Sequence, residues 1–324
     1  MATELELKLM VHPANFSMAA DFFDQWCKKA PNCHRQATLN LMNGYFDTSD
    51  NVLMQAGIAL RIRAVNQRFI QTLKTRGTSR IGMHERGEWE WEISQDRLDF
   101  GLLEAQMLPE SLQDLHWVER VGQVFRTDFV RQVWSIQLDS TKIEAVCDQG
   151  EVTSPYGKDG ICEIELELQT GDEQGLYDLA FQLARQVPVQ VSTVSKAQKG
   201  VRLKTPEIEL PKLPLVSSSK IDMAVYWYEV WLTYWEALLH RRDISLLDKV
   251  CQAMSQLAQC LPTARRQSLL LAESSIQVAT QTVVQTAIQT IAQADVDARL
   301  MALAQQKTIG LSMLEIGRWL NQQH

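Results

Sequence analysis

The chain has 324 residues, a hydrophobic content of 45% and a formal net charge of −7. This length allows two domains with sizeable cores, and the acidic balance argues against general nucleic-acid binding. The acidic excess lies in residues 1–215, which carry 30 acidic and 23 basic side chains.

Residues 3–11 form the first predicted strand, where Glu4, Glu6 and Lys8 alternate with leucines. In a strand, a spacing of two puts the three charges on one face and the leucines on the other. Apolar, aromatic and β-branched runs predict eight strands in total. They lie at about residues 3–11, 40–47, 58–65, 68–76, 86–94, 125–138, 141–148 and 161–170.

Two helices are predicted between these strands, at about residues 15–29 and 173–186, because apolar residues recur there at helical spacing. Prolines at 206, 211 and 214, followed by three serines, predict a linker. After it, an aromatic stripe from Trp227 to Trp235 and further apolar repeats predict a bundle of about four helices. We expect the aromatic stripe to fill the bundle core rather than to bind a ligand.

The predicted fold class is therefore α+β, an eight-stranded β-barrel with flanking helices followed by an all-α bundle. Closing eight alternating strands into a barrel removes their edges. Six cysteines without metal-ligand spacing favour reduced thiols. With no basic and apolar leader and no run of about 18 apolar residues, we expect a cytoplasmic protein without a membrane span.

Charged rows on several strands would converge inside such a barrel. Cations there require anions, because an unpaired buried charge costs several kcal/mol or more. Cations on separate strands could hold a chain of phosphates, and carboxylates could hold Mg²⁺ or Mn²⁺ beside it. The candidate cations are Arg61, Arg63, Lys74, Arg131 and Lys196, and the candidate carboxylates are Glu4, Glu6, Glu88, Glu90, Asp148, Glu163, Glu165 and Glu167.

The ordered set of these motifs resembles the CYTH superfamily, the triphosphate tunnel metalloenzymes. The motifs are Glu4-x-Glu6-x-Lys8, Tyr45-Phe46-Asp47-Thr48, Leu60-Arg61-Ile62-Arg63, Thr72-Leu73-Lys74, Arg86-x-Glu88-x-Glu90, Asp148-x-Gly150, Glu163-x-Glu165-x-Glu167 and Ser195-Lys196. The resemblance covers about residues 1–204, and within the superfamily it is greatest to bacterial inorganic triphosphatases with a helical CHAD region. It implies an antiparallel tunnel that hydrolyses tripolyphosphate to pyrophosphate and phosphate with Mg²⁺ or Mn²⁺.

The resemblance also implies roles for single residues. Substrate binding falls to Lys8, Arg61, Arg63, Lys74, Arg131 and Lys196. Metal binding falls to Glu4, Glu6, Glu88, Glu90, Asp148, Glu165 and Glu167. Catalysis falls to Glu4, Glu6, Lys8, Lys74 and Tyr45, with Lys74 and Tyr45 matching an acid/base pair of some family members.

The implied domains are a tunnel at 1–204, a linker at 205–219 and a reduced CHAD-like bundle at 220–324. Only His240 and His324 are histidines in that tail, so its polyphosphate binding is doubtful on the sequence. Arg131 and Asp148 are each single charges in otherwise apolar strands, and for each, taken alone, a surface salt bridge is favoured over a ligand role. We expect Glu92 and Glu163, at the ends of their charged rows, to be solvated rather than catalytic.

Three functional interpretations remain open. The first is an inorganic triphosphatase acting on tripolyphosphate. The second keeps the fold and changes the reaction, to a class IV adenylate cyclase or a thiamine triphosphatase. The third is a polyphosphate-binding module without turnover, which the intact carboxylate motifs disfavour.

Overall fold

This computed structural model describes the backbone of residues 2–75, 78–215, 219–284 and 293–323. Side chains are described within these ranges except at 2–4, 78–80, 84–86, 279–284 and 293–295. An antiparallel sheet with flanking helices occupies the first part of the chain and a helical region the second, which confirms the predicted fold class.

The described residues form eleven strands, of which eight overlap the eight predicted ones. The strands are β1 (Ala2–Val11), β2 (Cys33–Arg35), β3 (Leu39–Asp47), β4 (Ile58–Val65), β5 (Arg68–Thr75), β6 (Thr78–Arg80), β7 (Met83–Ile93), β8 (Gly122–Leu138), β9 (Thr141–Ser154), β10 (Gly157–Thr170) and β11 (Val189–Val191). The prediction lacks β2, β6 and β11, which have three residues each.

The strand order is β11, β1, β10, β9, β8, β3, β4, β5, β7, β6, with β2 beside β8. In addition, Ala2–Leu7 of β1 pair with Met83–Glu88 of β7, so the sheet curls until these two strands meet. This pairing joins the two ends of the row of eight longer strands, and the short strands β11 and β6, which the prediction lacks, pair beside β1 and β7. We call the concave side of this curled sheet the inner face.

The described residues also form nine α-helices. They are α1 (Phe16–Lys29), α2 (Val52–Gln55), α3 (Gln174–Ala184), α4 (Lys196–Lys204), α5 (Lys220–Arg241), α6 (Leu247–Cys260), α7 (Thr263–Val284), α8 (Gln293–Ala304) and α9 (Lys307–Asn321). From Lys220 onward the described residues thus form five helices rather than the predicted four or so. Among the described helices, none combines the length and hydropathy that a membrane span requires.

Helices cover the outer face of the sheet. Leu7 and Leu9 of β1 are fully buried in one hydrophobic core with side chains from α1, α3, α5 and α9. Trp231 and Trp235 of α5 are fully buried in the same core, which confirms that the aromatic stripe packs in the interior. Burying apolar side chains outside the curl leaves the charged residues of alternate positions on the inner face.

Cys27 and Cys33 form a disulfide between the end of α1 and β2. The prediction of reduced thiols is wrong for this pair, because the turn after α1 brings the two Cα atoms to 4.6 Å. The other four cysteines are free.

Candidate active site

Strand alternation brings the predicted charged residues of β1 onto the inner face. Glu6 and Lys8 are each 1% exposed on the inner face. The neighbouring leucines point to the opposite side of the strand, where they are buried in the hydrophobic core. The Lys8 ammonium lies 3.7 Å from the Glu6 carboxylate. The side chain of Glu4, the other predicted carboxylate of this strand, lies outside the described residues.

Three buried carboxylates form the acidic centre of the inner face: Asp148 of β9 and Glu163 and Glu165 of β10. Antiparallel pairing sets Asp148 directly opposite Glu163. Each of the three offers an oxygen within 4.8 Å of the others. The prediction that Glu163 is solvated is wrong, because it lies on the concave inner face, is 2% exposed, and contacts Lys196 of α4 and Lys8 of β1.

Three cations pair with this acidic centre. Arg131 of β8 donates two hydrogen bonds to Asp148, at 2.8 and 2.6 Å, and one to Glu165 at 2.8 Å. Lys196 lies 2.7 Å from Asp148 and 2.9 Å from Glu165, and it also donates to Glu163. Lys8 pairs with Glu165 and lies 3.4 Å from Glu163. Arg131 and Asp148 thus pair with each other inside the curl, whereas the interpretation of each charge taken alone favoured a salt bridge at the surface.

The pairing changes the pKa values of these groups. Burial alone would raise the pKa of Asp148 and Glu165, but the adjacent cations outweigh it and hold both pKa values below the usual range. Burial would lower the pKa of Lys8 and Lys196, yet the carboxylates raise both. Asp148, Glu165, Lys8 and Lys196 are therefore charged near neutral pH.

A second charged group lies on β4, β5 and β7. Lys74 lies 2.9 Å from Glu88, its direct cross-strand partner. Arg61 lies 3.4 Å from Glu88 and 3.5 Å from Glu90. Arg61 and Arg63 share β4, and Lys196 is the first residue of α4, so the prediction of five cations on separate strands is wrong for these three.

Each of the two arginines of β4 has a feature that an anionic ligand would relieve: a donor without a partner among the described residues at Arg61 and nearby positive charge at Arg63. The Nε of Arg61 is buried and has no hydrogen-bond partner in the described part of the chain. Arg63 donates from Nε to the Asn43 amide oxygen at 3.0 Å. Burial, together with the nearby charges of Arg61 and Arg131, lowers the pKa of Arg63 to about 9. An anionic ligand would relieve both conditions.

Tyr45 of β3 lies opposite Arg61 on the neighbouring strand. Its ring is buried and stacks on Phe125 with centroids 4.6 Å apart. Burial alone would raise the pKa of Tyr45, but the positive charges of Arg61, Lys74 and Lys196 outweigh it and lower the pKa below its usual value. The phenol is therefore a better proton donor than an ordinary tyrosine.

The remaining predicted carboxylates lie nearer to solvent. The side chain of Glu90 is 45% exposed; burial would raise its pKa, but Arg61 and Arg63 lower it. Glu167 is partly buried and accepts a hydrogen bond from Gln169 at 3.0 Å. Glu92 is exposed, as predicted.

Phe129 of β8 is a site residue that the sequence analysis did not identify. Its ring lies 5.0 Å from the Lys196 ammonium and 5.7 Å from the Arg131 guanidinium, distances at which an aromatic face attracts a cation. Gly150, opposite Phe129 in the register, leaves room for it, since a Cβ there would lie 2.5 Å from the Phe129 Cα. Single aromatic residues in a strand give no sequence signal for this role.

The helix α4 that carries Lys196 is also absent from the prediction. Ser195 caps it by accepting from the Gln198 N–H at 3.2 Å, and the Gln198 side chain accepts from the Ser195 N–H at 2.8 Å. This reciprocal capping box fixes where the helix begins and places Lys196 in its first turn. The Ser-x-x-Gln spacing is the signal that could have found the helix.

Comparison with known proteins agrees with this arrangement. The family model of the CYTH domain matches residues 2–201. The chain belongs to the CYTH domain family. This match includes β1 to β11 and the start of α4, and it ends before the helical region.

The CYTH chain is also similar to individual proteins. It is 32% identical over 208 residues to the inorganic triphosphatase of Haemophilus influenzae, over 63% of this chain and 55% of that protein. The chain therefore spans about half the length of this relative. A candidate adenylyl cyclase from Hippeastrum with a dominant triphosphatase activity has 20% identity and a TM-score of 0.43, covering 66% of this chain and 99% of that one. A candidate adenylate cyclase from Bacillus halodurans has 21% identity and a TM-score of 0.37, covering 61% and 98%.

Proposed function

We propose that this CYTH protein is a metal-dependent inorganic triphosphatase that hydrolyses tripolyphosphate to pyrophosphate and phosphate on the inner face. The observation that carries the proposal is the pair of arginines on β4 beside a centre of three carboxylates: the buried Nε of Arg61 has no hydrogen-bond partner in the described residues, and burial with nearby positive charge lowers the pKa of Arg63. The name of the Haemophilus relative supports the same reaction.

The carboxylates fit a divalent ion. Hard oxygen ligands are those that Mg²⁺ and Mn²⁺ prefer, and the oxygens of Asp148, Glu163 and Glu165 lie close enough together to share one ion. Glu6 and Glu167 lie opposite each other in the β1–β10 register and extend this set. We propose Mg²⁺ or Mn²⁺ as the ion, and Glu4, Glu88 and Glu90 as the remaining members of the proposed metal-binding carboxylates. Such an ion supplies charge neutralisation at phosphate oxygens and a water of lowered pKa.

The cations would hold the substrate. Arg61 and Arg63 present planar guanidiniums that match phosphate oxygens, and Lys74 adds a compact charge beside them. Lys8, Arg131 and Lys196 face the acidic centre, so the chain of phosphates would extend from the β4 arginines to these residues. This placement orients the phosphoanhydride bond between the two groups, and positioning is the main task in phosphoryl transfer.

Proton transfer falls to groups beside the β4 arginines. The lowered pKa of Tyr45 suits it to donate a proton to a leaving phosphate, with the adjacent charge of Lys74 stabilising the phenolate. We further propose that residues 1–204 contain all groups that contact the substrate, that 205–219 are a linker and that 220–324 are a reduced CHAD-like region.

A substrate panel tests this function. Phosphate release from tripolyphosphate, ATP and thiamine triphosphate is measured on the full chain with Mg²⁺, with Mn²⁺ and with a chelator. We expect metal-dependent release that strongly favours tripolyphosphate. Turnover of only an organic triphosphate would assign the fold to a different reaction, and binding without turnover would assign it to a polyphosphate-binding module.

A further inference from the structure

A buried carboxylate of the helical region contacts the segment that carries Lys196. Glu236, in the middle of α5, is 6% exposed and lies beyond the residues that match the CYTH family model. A buried carboxylate requires partners, because its desolvation is otherwise costly. The two partners described below lie in the segment that carries Lys196, rather than on α5.

One partner precedes Lys196 and the other follows it. Glu236 accepts a hydrogen bond from the Ser192 hydroxyl at 2.9 Å through one oxygen. Its other oxygen lies 3.5 Å from the Arg202 guanidinium. Ser192 is four residues before Lys196 and Arg202 is six residues after it, so one carboxylate contacts both ends of the segment 192–202.

Both ends are also attached to the sheet. The Ser192 N–H donates to the Lys8 carbonyl oxygen at 3.0 Å, next to the strand residues that enter the acidic centre. Arg202 donates to Asp159 of β10 at 2.6 and 3.1 Å, and His240 of α5 lies 3.5 Å from the same aspartate. Glu236 thus completes a polar network that joins α5, α4, β1 and β10.

We propose that Glu236 is a positioning residue for Lys196 in the proposed triphosphatase reaction. By holding Ser192 and Arg202, it fixes the segment that delivers the Lys196 ammonium to the inner face. The helical region would then contribute to the active site through this one carboxylate, without contacting the substrate.

The test compares Glu236→Ala and Glu236→Gln in the full chain. The glutamine keeps an acceptor for the Ser192 hydroxyl but loses the charge that faces Arg202. Glu315→Gln of α9 is the matched control, because that half-exposed glutamate pairs with Arg265 within the helical region. Steady-state kinetics with tripolyphosphate and Mg²⁺ are measured well below each variant's Tm.

We expect Glu236→Ala to raise KM about tenfold, a size typical of coupled residues, with a smaller change in kcat. Glu236→Gln should recover part of this loss, and Glu315→Gln should leave KM unchanged. In a Lys196→Ala background, Glu236→Ala should raise KM no further. A lowered Tm with an unchanged KM, or an equal KM increase in both backgrounds, would overturn the proposal.

Because this inference rests on the proposed function, a second readout is independent of turnover. Amide hydrogen exchange of residues 192–204 should be faster in Glu236→Ala than in Glu315→Gln. If the wild-type chain hydrolyses no tripolyphosphate, the proposed function fails and this exchange measurement decides the positioning role. Equal exchange in the two variants would reject it.

Discussion

Arg61 is the cation whose replacement tests the proposed substrate binding most directly. We expect Arg61→Ala to raise the KM for tripolyphosphate about 10- to 100-fold, since a hydrogen bond to a charged group contributes about 1.5–3 kcal/mol. Steady-state kinetics with Mg²⁺, at tripolyphosphate concentrations that do not inhibit the protein, would measure this change in KM. Arg126→Ala is the control, because Arg126 is half-exposed and pairs with Asp128 at the surface. Equal KM values for the two variants would contradict a phosphate-binding role.

Glu163 is buried in the acidic centre, although the sequence analysis predicts that it is solvated. We expect Glu163→Gln to raise the Mg²⁺ concentration for half-maximal turnover at least tenfold, because it removes one charged oxygen ligand from the acidic centre. Glu92→Gln changes the same residue type at an exposed position and should leave the metal titration unchanged. Identical titrations for the two variants would exclude Glu163 from the metal site.

The lowered pKa of Asp148 predicts a pH-dependent contribution to stability. A carboxylate with a folded-state pKa below its unfolded value near 4 stabilises the protein above that value and loses this effect as pH falls through the folded pKa. The Tm difference between wild type and Asp148→Asn, measured by circular dichroism with a chelator, should therefore be largest near neutral pH and shrink below about pH 4. A difference independent of pH would contradict the ion pair.

At the scale of residues, the sequence predicts which charged side chains share one face of a strand, but not which of them pair between strands. Alternation alone predicts that Glu6 and Lys8 share a face, because strand geometry has a period of two. It gives no register between distant strands, so the meeting of Asp148 with Lys196 and the burial of Glu163 emerge only from the fold.

At the scale of elements, α9 packs closely against strand β11 at Gly310. A Cβ at Gly310 would overlap the carbonyl oxygen of Val189 in β11. We expect Gly310→Ala to lower the free energy of unfolding by about 2 kcal/mol or more, since backbone must move to relieve the clash. Chemical denaturation measures this, with Gly160→Ala as the control because a Cβ there meets nothing within 4 Å. Equal stability of the two variants would argue against this docking of α9.

The predictability of an element depends on how much apolar surface it buries. α1 is predicted almost to its ends because Phe16, Phe22 and Phe23 mark one face. In contrast, α4 is short and polar, and buries only Lys196 and Gly200. Its position depends on the Ser195 cap and on close packing, since a Cβ at Gly200 would overlap the Phe125 ring.

At the scale of the whole molecule, the helical region and the outer face of the sheet form one core. Trp231, Trp235 and Tyr228 of α5 are fully buried in it with the leucines of β1. Burial of a large apolar side chain contributes about 1.5–3 kcal/mol, so exposing several such residues would cost an amount comparable with the net stability of about 5–15 kcal/mol that is typical of a folded protein.

We therefore expect a chain truncated after residue 210 to lose cooperative thermal unfolding and to bind a hydrophobic dye, unlike the full chain. The prolines after residue 205 suggest two separable units. Composition indicates a linker, but it does not show how much apolar surface the parts of the chain before and after that linker bury against each other. Cooperative unfolding of the truncated chain near the Tm of the full chain would contradict the shared core.

The most direct test of the central claim follows tripolyphosphate by ³¹P nuclear magnetic resonance with the full chain present. We predict that Mg²⁺ or Mn²⁺ supports conversion of each tripolyphosphate and one water into one pyrophosphate and one phosphate, and that a chelator stops it. A tripolyphosphate spectrum that stays unchanged with either metal, or hydrolysis that continues under chelator, would contradict a metal-dependent triphosphatase on the inner face.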